Sequence, residues 1–277
     1  WCPRSRTGAF LSGDRRVRVR NRAEKATMFD LGCIELSTGK MHTVKPLSVH
    51  IPRGRLVAVT GVSGSGKTTL VLEGLVPALR AAAEGAVMPK HVRSLEPAGI
   101  ERVHLIDASP VGANVRSTVA TYSGVLDDLR RAYAKTPVAQ ERGLKMGAFS
   151  YNTGSLRCEV CDGTGQVSLD VQFLPDVDMP CPSCGGSRYG REAYEVKRAV
   201  AGASSEPVAC EQEVSLPELL AMTVDEARGS VAGLRSVKTK LDVLHNLGLG
   251  YLTLGEATPA LSGGEAQRLK LAGELTR

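Results

Sequence analysis

The spacing of apolar and polar positions divides the chain into stretches of different grammar. VKPLSVHIPRGRLVAVTG reads as two short strands separated by a turn at Pro52 to Gly54, the second being the apolar run Leu56 to Val59. Lys67 to Val76 carries a helical pattern until Pro77, and the Ala-rich continuation to Gly85 predicts a second helical piece. Another strand is expected at Val103 to Asp107 and a helix around Ser123 to Ala134. Strand, loop and helix in that order are the punctuation of an α/β protein. From about Lys145 to Lys197 this alternation gives way to Cys, Gly, Pro and short extended segments, with strands predicted at Gln166 to Phe173 and Ala193 to Lys197, and Pro175 and Pro180 fixing turns. Ala201 to Gln212 is weakly patterned and reads as loop. Ser215 with Glu218, and Thr223 with Glu226, each fit a capping box. The last stretch, from Lys238 through LDVLHNLGLGYL to LSGGEAQRLKLAGEL, predicts helix, glycine turn, helix.

Composition narrows this picture. The 277 residues are 42% hydrophobic, 23% charged and 4% aromatic, which suits one large or two smaller globular domains and excludes a fibrous or wholly disordered chain. A first residue Trp1 and a terminal amphipathic run EAQRLKLAGELTR point to a piece of a longer protein. The net charge of +6 is compatible with a polyanionic partner and does not demand one. Basic residues crowd positions 1 to 25, as a solvated arm or as a surface that touches phosphates. No apolar run is long enough to span a membrane, and the start lacks a secretion signal, so the expected location is cytoplasmic with no membrane partner.

Chemistry enters first at Gly61-Val-Ser63-Gly64-Ser65-Gly66-Lys67-Thr68, followed by Thr69, which satisfies G-x-x-x-x-G-K-[ST] between a predicted strand and a predicted helix. Glycines let the backbone turn its N–H groups toward phosphates, Lys67 reaches the β and γ phosphates, and the Thr68 hydroxyl can ligate Mg2+. The loop points to ATP or GTP without saying what hydrolysis drives. Leu261-Ser262-Gly263-Gly264-Glu265 forms a second glycine element, a polar loop at a helix start with Ser262 as N-cap. By itself it is an ordinary helix cap. Paired with the first loop it resembles the signature motif of ATP-binding cassette ATPases, in which one cassette's signature meets ATP on the phosphate loop of a second, so Lys67 and Ser262 would serve different composite sites.

Four of the seven cysteines fall as Cys158 and Cys161, then Cys181 and Cys184, giving C-x2-C-x19-C-x2-C. That spacing folds two thiolate knuckles around tetrahedral Zn2+ and leaves no open position for catalysis. Redox chemistry and unmetallated core cysteines are the competing readings; Cys2, Cys33 and Cys210 receive no role. The approach RGLKMGAFSYNTGSLRC sets Lys145 and Arg157 among small polar residues with Phe149 and Tyr151 interspersed, suiting a nucleic-acid contact or a solvated linker whose aromatics cover the cysteine module.

Taken in order, VTGVSGSGKTTL, VHLIDASPVGANVRSTVATYSGVLDDLR, the cysteine run and DVLHNLGLGYLTLGEATPALSGGEAQRLKLAGEL resemble the A subunits of bacterial UvrABC excinucleases, the damage-sensing ATPases of nucleotide excision repair. The resemblance spans about Leu11 to Arg277 and looks like the second of that family's two cassettes. It implies an α/β P-loop NTPase fold of ATP-binding cassette type with an inserted signature domain: a basic approach at 1–30, the N-terminal core at 31–115, the insert at 116–255 with its zinc module at about 145–197, and the signature at 256–277. It implies ATP, Mg2+ and Zn2+ as cofactors, double-stranded DNA as ligand, a homodimer, and loading of the excinuclease B subunit. Lys145, Arg157 and Arg188 are the DNA contacts expected from position and charge. Ala108 stands where the family has a glutamine that senses the γ phosphate, Gly112 to Val115 replaces a more basic loop, and His42-Thr43-Val44 replaces His-Asn-Leu. These departures keep open a divergent paralogue serving resistance to DNA-binding drugs, and a nonenzymatic zinc and nucleic-acid binding remnant. The Walker B aspartate, the following glutamate and the switch histidine of such cassettes belong downstream of the signature, so this stretch is expected to hold nucleotide without turning it over alone.

Overall fold

The alternation of buried and exposed residues in Cys33–Thr38, with Ile34, Leu36 and Thr38 buried and Glu35 exposed, sets the central strand of the first unit. The computed structural model describes the chain apart from residues 1–5, 17–20, 108, 113, 170–176, 201–211, 232 and 277, and it divides into two units, Trp1–Leu105 and Ile106–Arg277. In the first unit a short helix α1 (Arg6–Leu11) precedes β1 (Cys33–Thr38), β2 (Leu47–Pro52) and β3 (Val92–Glu96). The sheet order is β2-β1-β3, antiparallel throughout, with Cys33 opposite Pro52 and Thr38 opposite Leu47.

The helix after the Gly61 to Thr68 loop is continuous where two pieces are expected. A π turn at Thr69–Leu75 runs into α2 (Val76–Glu84), and Pro77 sits in the first turn of α2. Proline cannot donate to the carbonyl four residues back, and its ring crowds that oxygen. The wide turn accommodates the ring, and the imidazole Nε2–H of His91 donates to the orphaned Glu73 carbonyl at 2.8 Å.

Two expected strands are not strands among the described residues. Leu56 to Val59 and Val103 to Asp107 join no strand ladder among the described residues, and Leu56, Val57, Val59 and Leu105 are exposed. An apolar run announces a strand, yet a ladder needs a neighbour distant in sequence. Conversely, β1 and β3 were not anticipated, and β3 exists because β1 offers it an edge.

The second unit is mainly helical. It contains α3 (Val119–Tyr122), α4 (Val125–Tyr133), α5 (Pro137–Glu141), the hairpin of β4 (Gln166–Leu169) with β5 (Val177–Pro180), and the hairpin of β6 (Lys197–Val200) with β7 (Gln212–Ser215). Then follow α6 (Leu216–Ala221), α7 (Val224–Ser230), α8 (Arg235–Asn246) and α9 (Gly263–Leu275). Of the expected strand at Ala193 to Lys197, residues Arg191–Tyr194 form a 3-10 turn and the strand starts at Lys197. Both expected capping boxes are formed, at Ser215 with Glu218 and Thr223 with Glu226.

Leu126, Leu129, Tyr133, Phe149, Tyr189, Leu219, Leu241, Leu244 and Leu269 are buried in one core that joins the helices to the residues around the cysteines. Its buried tyrosines are satisfied: Tyr133 Oη donates to the Val214 carbonyl and Tyr189 Oη to the Phe149 carbonyl, each at 2.8 Å. The segment leading to α9 is stitched into this core by backbone bonds from Val224 N to Leu252 O, Leu254 N to Met222 O and Ala120 N to Leu254 O. That stitching fixes the direction from which the chain enters the Ser262 loop.

Candidate metal centre and glycine loops

The four paired cysteines converge. Cys158, Cys161 and Cys181 are buried, Cys184 is half-buried, and the four sulfurs lie within 4.8 Å of one another. Cys158 and Cys181 Sγ are 3.9 Å apart, and Cys161 and Cys184 Sγ are 3.7 Å apart. Four sulfurs at about 2.3 Å from a tetrahedral zinc define edges of about 3.8 Å, so the donor set fits such an ion. Burial acts to push the Cys158 and Cys184 thiols up. At Cys158 the backbone N–H groups of Cys161 and Val160, with the neighbouring sulfurs, outweigh it and bring the thiol down to about 7, whereas burial holds Cys184 up at about 12. Cys158 is therefore the sulfur of this pair that first offers a thiolate to a cation. The knuckle closes at Gly163, whose φ is +76° and where a Cβ would overlap the Tyr151 carbonyl oxygen.

The basic residues around the cysteines differ in availability. Lys145 is exposed. Arg157 is 38% exposed and pairs with Asp162 at 3.0 Å while donating to the Asn152 carbonyl at 3.1 Å. Asp162 also holds Arg116 at 3.1 Å, a partner that no local pattern in the sequence marks. Arg188 faces inward: it is 6% exposed, and Nη1 donates to the carbonyls of Val115 and Thr164. The expected DNA contact at Arg188 is thus replaced by an interior fastening, because the guanidinium satisfies carbonyls that would otherwise be buried and unpaired.

In the first unit Gly61, Ser63, Gly64 and Ser65 form an exposed loop, Gly66 and Lys67 are half-buried, and Thr68 is exposed ahead of the π turn that starts at Thr69. The ammonium of Lys67 folds back over the loop, donating to Val62 O at 2.7 Å, Gly61 O at 2.9 Å and Ser65 Oγ at 3.5 Å. Gly66, at φ +85°, passes so close to Val44 that a Cβ would overlap its Cγ2. Loop and lysine therefore form a curled ring whose single cation already collects oxygen ligands.

In the second unit Ser262 caps α9 as anticipated. Its N–H donates to Glu265 Oε2 at 2.6 Å, and its Oγ accepts from Glu265 N at 3.4 Å. Gly263 and Gly264 are exposed at the helix start, and Leu261 packs on the core. Tyr251 Oη donates to the other oxygen of Glu265, and this bond, with those from Ser262, holds the Glu265 carboxyl below its ordinary range. Arg268 Nη1 donates to the carbonyls of Leu247 and Gly248 at 3.1 Å, tying α9 to the end of α8. Tyr251 and Arg268 carry no signal in the sequence beyond their proximity to the glycine turn. Ala108 lies outside the described residues. Among the described residues no helix is long and apolar enough to cross a membrane.

No family model matches the chain. It is 41% identical over 279 residues to UvrABC system protein A of Thermus thermophilus, covering 99% of this chain and 27% of that protein. It is 40% identical over 277 residues to UvrABC system protein A of Bacillus subtilis, again covering 99% of this chain and 27% of that protein. The crystal structure of UvrA2 from Deinococcus radiodurans has a TM-score of 0.77 and 40% identity with it, covering 99% of this chain and 31% of that one. The chain thus spans 27% of the length of these curated relatives. With the mixed α/β architecture, the clustered cysteines and this similarity over 99% of its length, the chain is homologous to UvrABC system protein A.

Proposed function

We propose that this chain is a nucleotide-responsive, DNA-binding cassette of an excinuclease A-type ATPase acting in nucleotide excision repair. The observation that carries the reading is the 41% identity along 99% of the chain, which takes in the phosphate loop, the four cysteines and the signature loop together. Residues 31–115 and 256–277 belong to the ATPase core, 116–255 to the inserted signature domain with its zinc module at about 145–197, and 1–30 to a basic approach. Gly61 to Thr69 hold ATP, with Lys67 exchanging its loop carbonyls for phosphate oxygens and Thr68 serving Mg2+. Leu261 to Glu265 face the nucleotide of a second copy, since the capping box leaves the N–H groups of Gly263 and Gly264 free at a helix N-terminus.

Cys158, Cys161, Cys181 and Cys184 hold Zn2+ in a structural role, because four thiolates saturate the ion. Lys145 and Arg157 are the residues offered to duplex DNA. The intact protein dimerises, loads the B subunit and works in the cytoplasm. Ala108 in place of a phosphate-sensing glutamine favours a second reading, a divergent paralogue in which nucleotide and DNA binding are uncoupled.

Fluorescence anisotropy of the intact protein with undamaged and lesion-bearing duplexes, with and without ATP, tests both. Preferential binding of the damaged duplex that changes on adding ATP supports repair. Binding indifferent to ATP supports the paralogue, and failure to bind either duplex removes the DNA reading.

A further inference from the structure

Lys270 lies on α9, beyond the signature loop, and its ammonium is enclosed by oxygens of residues 107 and 109, which are more than 160 positions earlier in the chain. Nζ donates to Ser109 O and Ser109 Oγ at 2.7 Å each, to Asp107 O at 3.3 Å, and to the Asp107 carboxylate. The same carboxylate oxygen accepts from Ser109 Oγ at 2.6 Å and from Ser109 N at 3.3 Å, so the two residues close on themselves around the cation. The Lys270 side chain is only 13% exposed. Most surface lysines keep a hydrated, mobile head; one enclosed by four oxygens has given up hydration and rotamer freedom for a fixed geometry.

The place of this contact gives it meaning. The chain passes from the unit bearing the phosphate loop to the unit bearing the signature helix at Leu105 and Ile106, immediately before the enclosed segment. The helix that supplies the ammonium is itself anchored, through buried Ala266, Leu269 and Ala272 and through Arg268 on the end of α8. Asp107 is correspondingly acidic, held at about 2 chiefly by its bond from Lys270 and then by Ser109.

We propose that Lys270 is a positioning residue that fastens the point of entry into the second unit to the signature helix, so that displacement of one is passed to the other. The fastening stands on the ligand-free geometry; only the nature of the signal it passes, nucleotide occupancy, rests on the function proposed above.

Amide hydrogen exchange on the intact protein without nucleotide tests it, reading peptides that cover residues 106–112. Lys270→Met is expected to speed exchange there at least tenfold while peptides from α4 and α8 keep their wild-type rates. Lys270→Arg, which keeps charge and donors, should recover most of the protection, a rescue that a merely space-filling role would not require. Exchange at 106–112 within twofold of wild type in Lys270→Met overturns the proposal. Should that variant loosen α8 and α9 as well, Asp107→Asn decides, because it removes the carboxylate from a loop and leaves the helix untouched: faster exchange supports the fastening and unchanged exchange overturns it. Separately, peptides covering 61–75 in the wild type are followed on adding Mg-ATP. No protection there counts against the nucleotide reading and leaves the ligand-free comparison as the judge of Lys270.

Discussion

The guanidinium of Arg188 lies over the ring of Tyr151, 5.3 Å from its centroid, while Tyr151 Oη donates to the Arg116 carbonyl at 2.9 Å. Arg188 itself reaches Val115 O at 3.0 Å and Thr164 O at 2.7 Å. One buried cation thus joins the cysteine knuckle to the segment that precedes α3. Arg188→Met keeps the aliphatic stem and leaves two carbonyls without a donor, and is expected to cost about 3 kcal/mol of stability. Urea unfolding of the metal-loaded protein measures this; a loss below about 0.5 kcal/mol, the usual range for surface substitutions, would return Arg188 to the surface role its charge suggested.

Gly163→Ala places a methyl group against the Tyr151 carbonyl at a backbone angle of +76°. The knuckle cannot close around that group without moving the Cys161 sulfur. Elemental analysis is expected to find about one zinc per wild-type chain and much less in the variant. Chelation of the wild type should expose the segment from Cys158 to Arg188 to protease before the helical core is cut. Equal metal content in both proteins would contradict the geometry.

Burial raises the phenol pKa of both Tyr133 and Tyr189, since neither site can hydrate a phenolate. A pKa raised in the folded state contributes stability that is complete below the unfolded value of about 10 and is lost as pH climbs toward the folded one. Stability is therefore expected to fall above pH ~10. Tyr133→Phe and Tyr189→Phe should each flatten that alkaline decline, at a cost near neutrality of about 1–3 kcal/mol for the orphaned carbonyl of Val214 or Phe149. Denaturation followed from pH 8 to pH 11 reads both effects, and an unchanged alkaline slope would remove the tyrosines as its cause.

Ser262→Ala deletes the side-chain half of the α9 capping box. It should cost about 1 kcal/mol and speed exchange of the first-turn amides, while Leu269 and Ala272 keep the rest of the helix docked. Tyr251→Phe removes the bond to Glu265 and is expected to raise the Glu265 pKa toward its ordinary value. Carboxylate-detected NMR titration checks this, and an unmoved Glu265 would show that the tyrosine does not hold it.

Features built within a few residues were legible in the sequence. The capping boxes at Ser215, Thr223 and Ser262 and the cysteine pairs all depend on neighbours three positions away, where backbone geometry alone brings groups together. Tertiary structure decided what each group met over longer distances. It turned Arg188 from a surface cation into an interior one, gave Asp162 two arginines, paired β1 with β3, and set Lys270 against residues near the start of its unit. The apolar run Leu56 to Val59 marks the boundary between the two kinds of information. Its composition says strand, but a ladder is a contract between two segments, and only packing of the whole chain chooses the second.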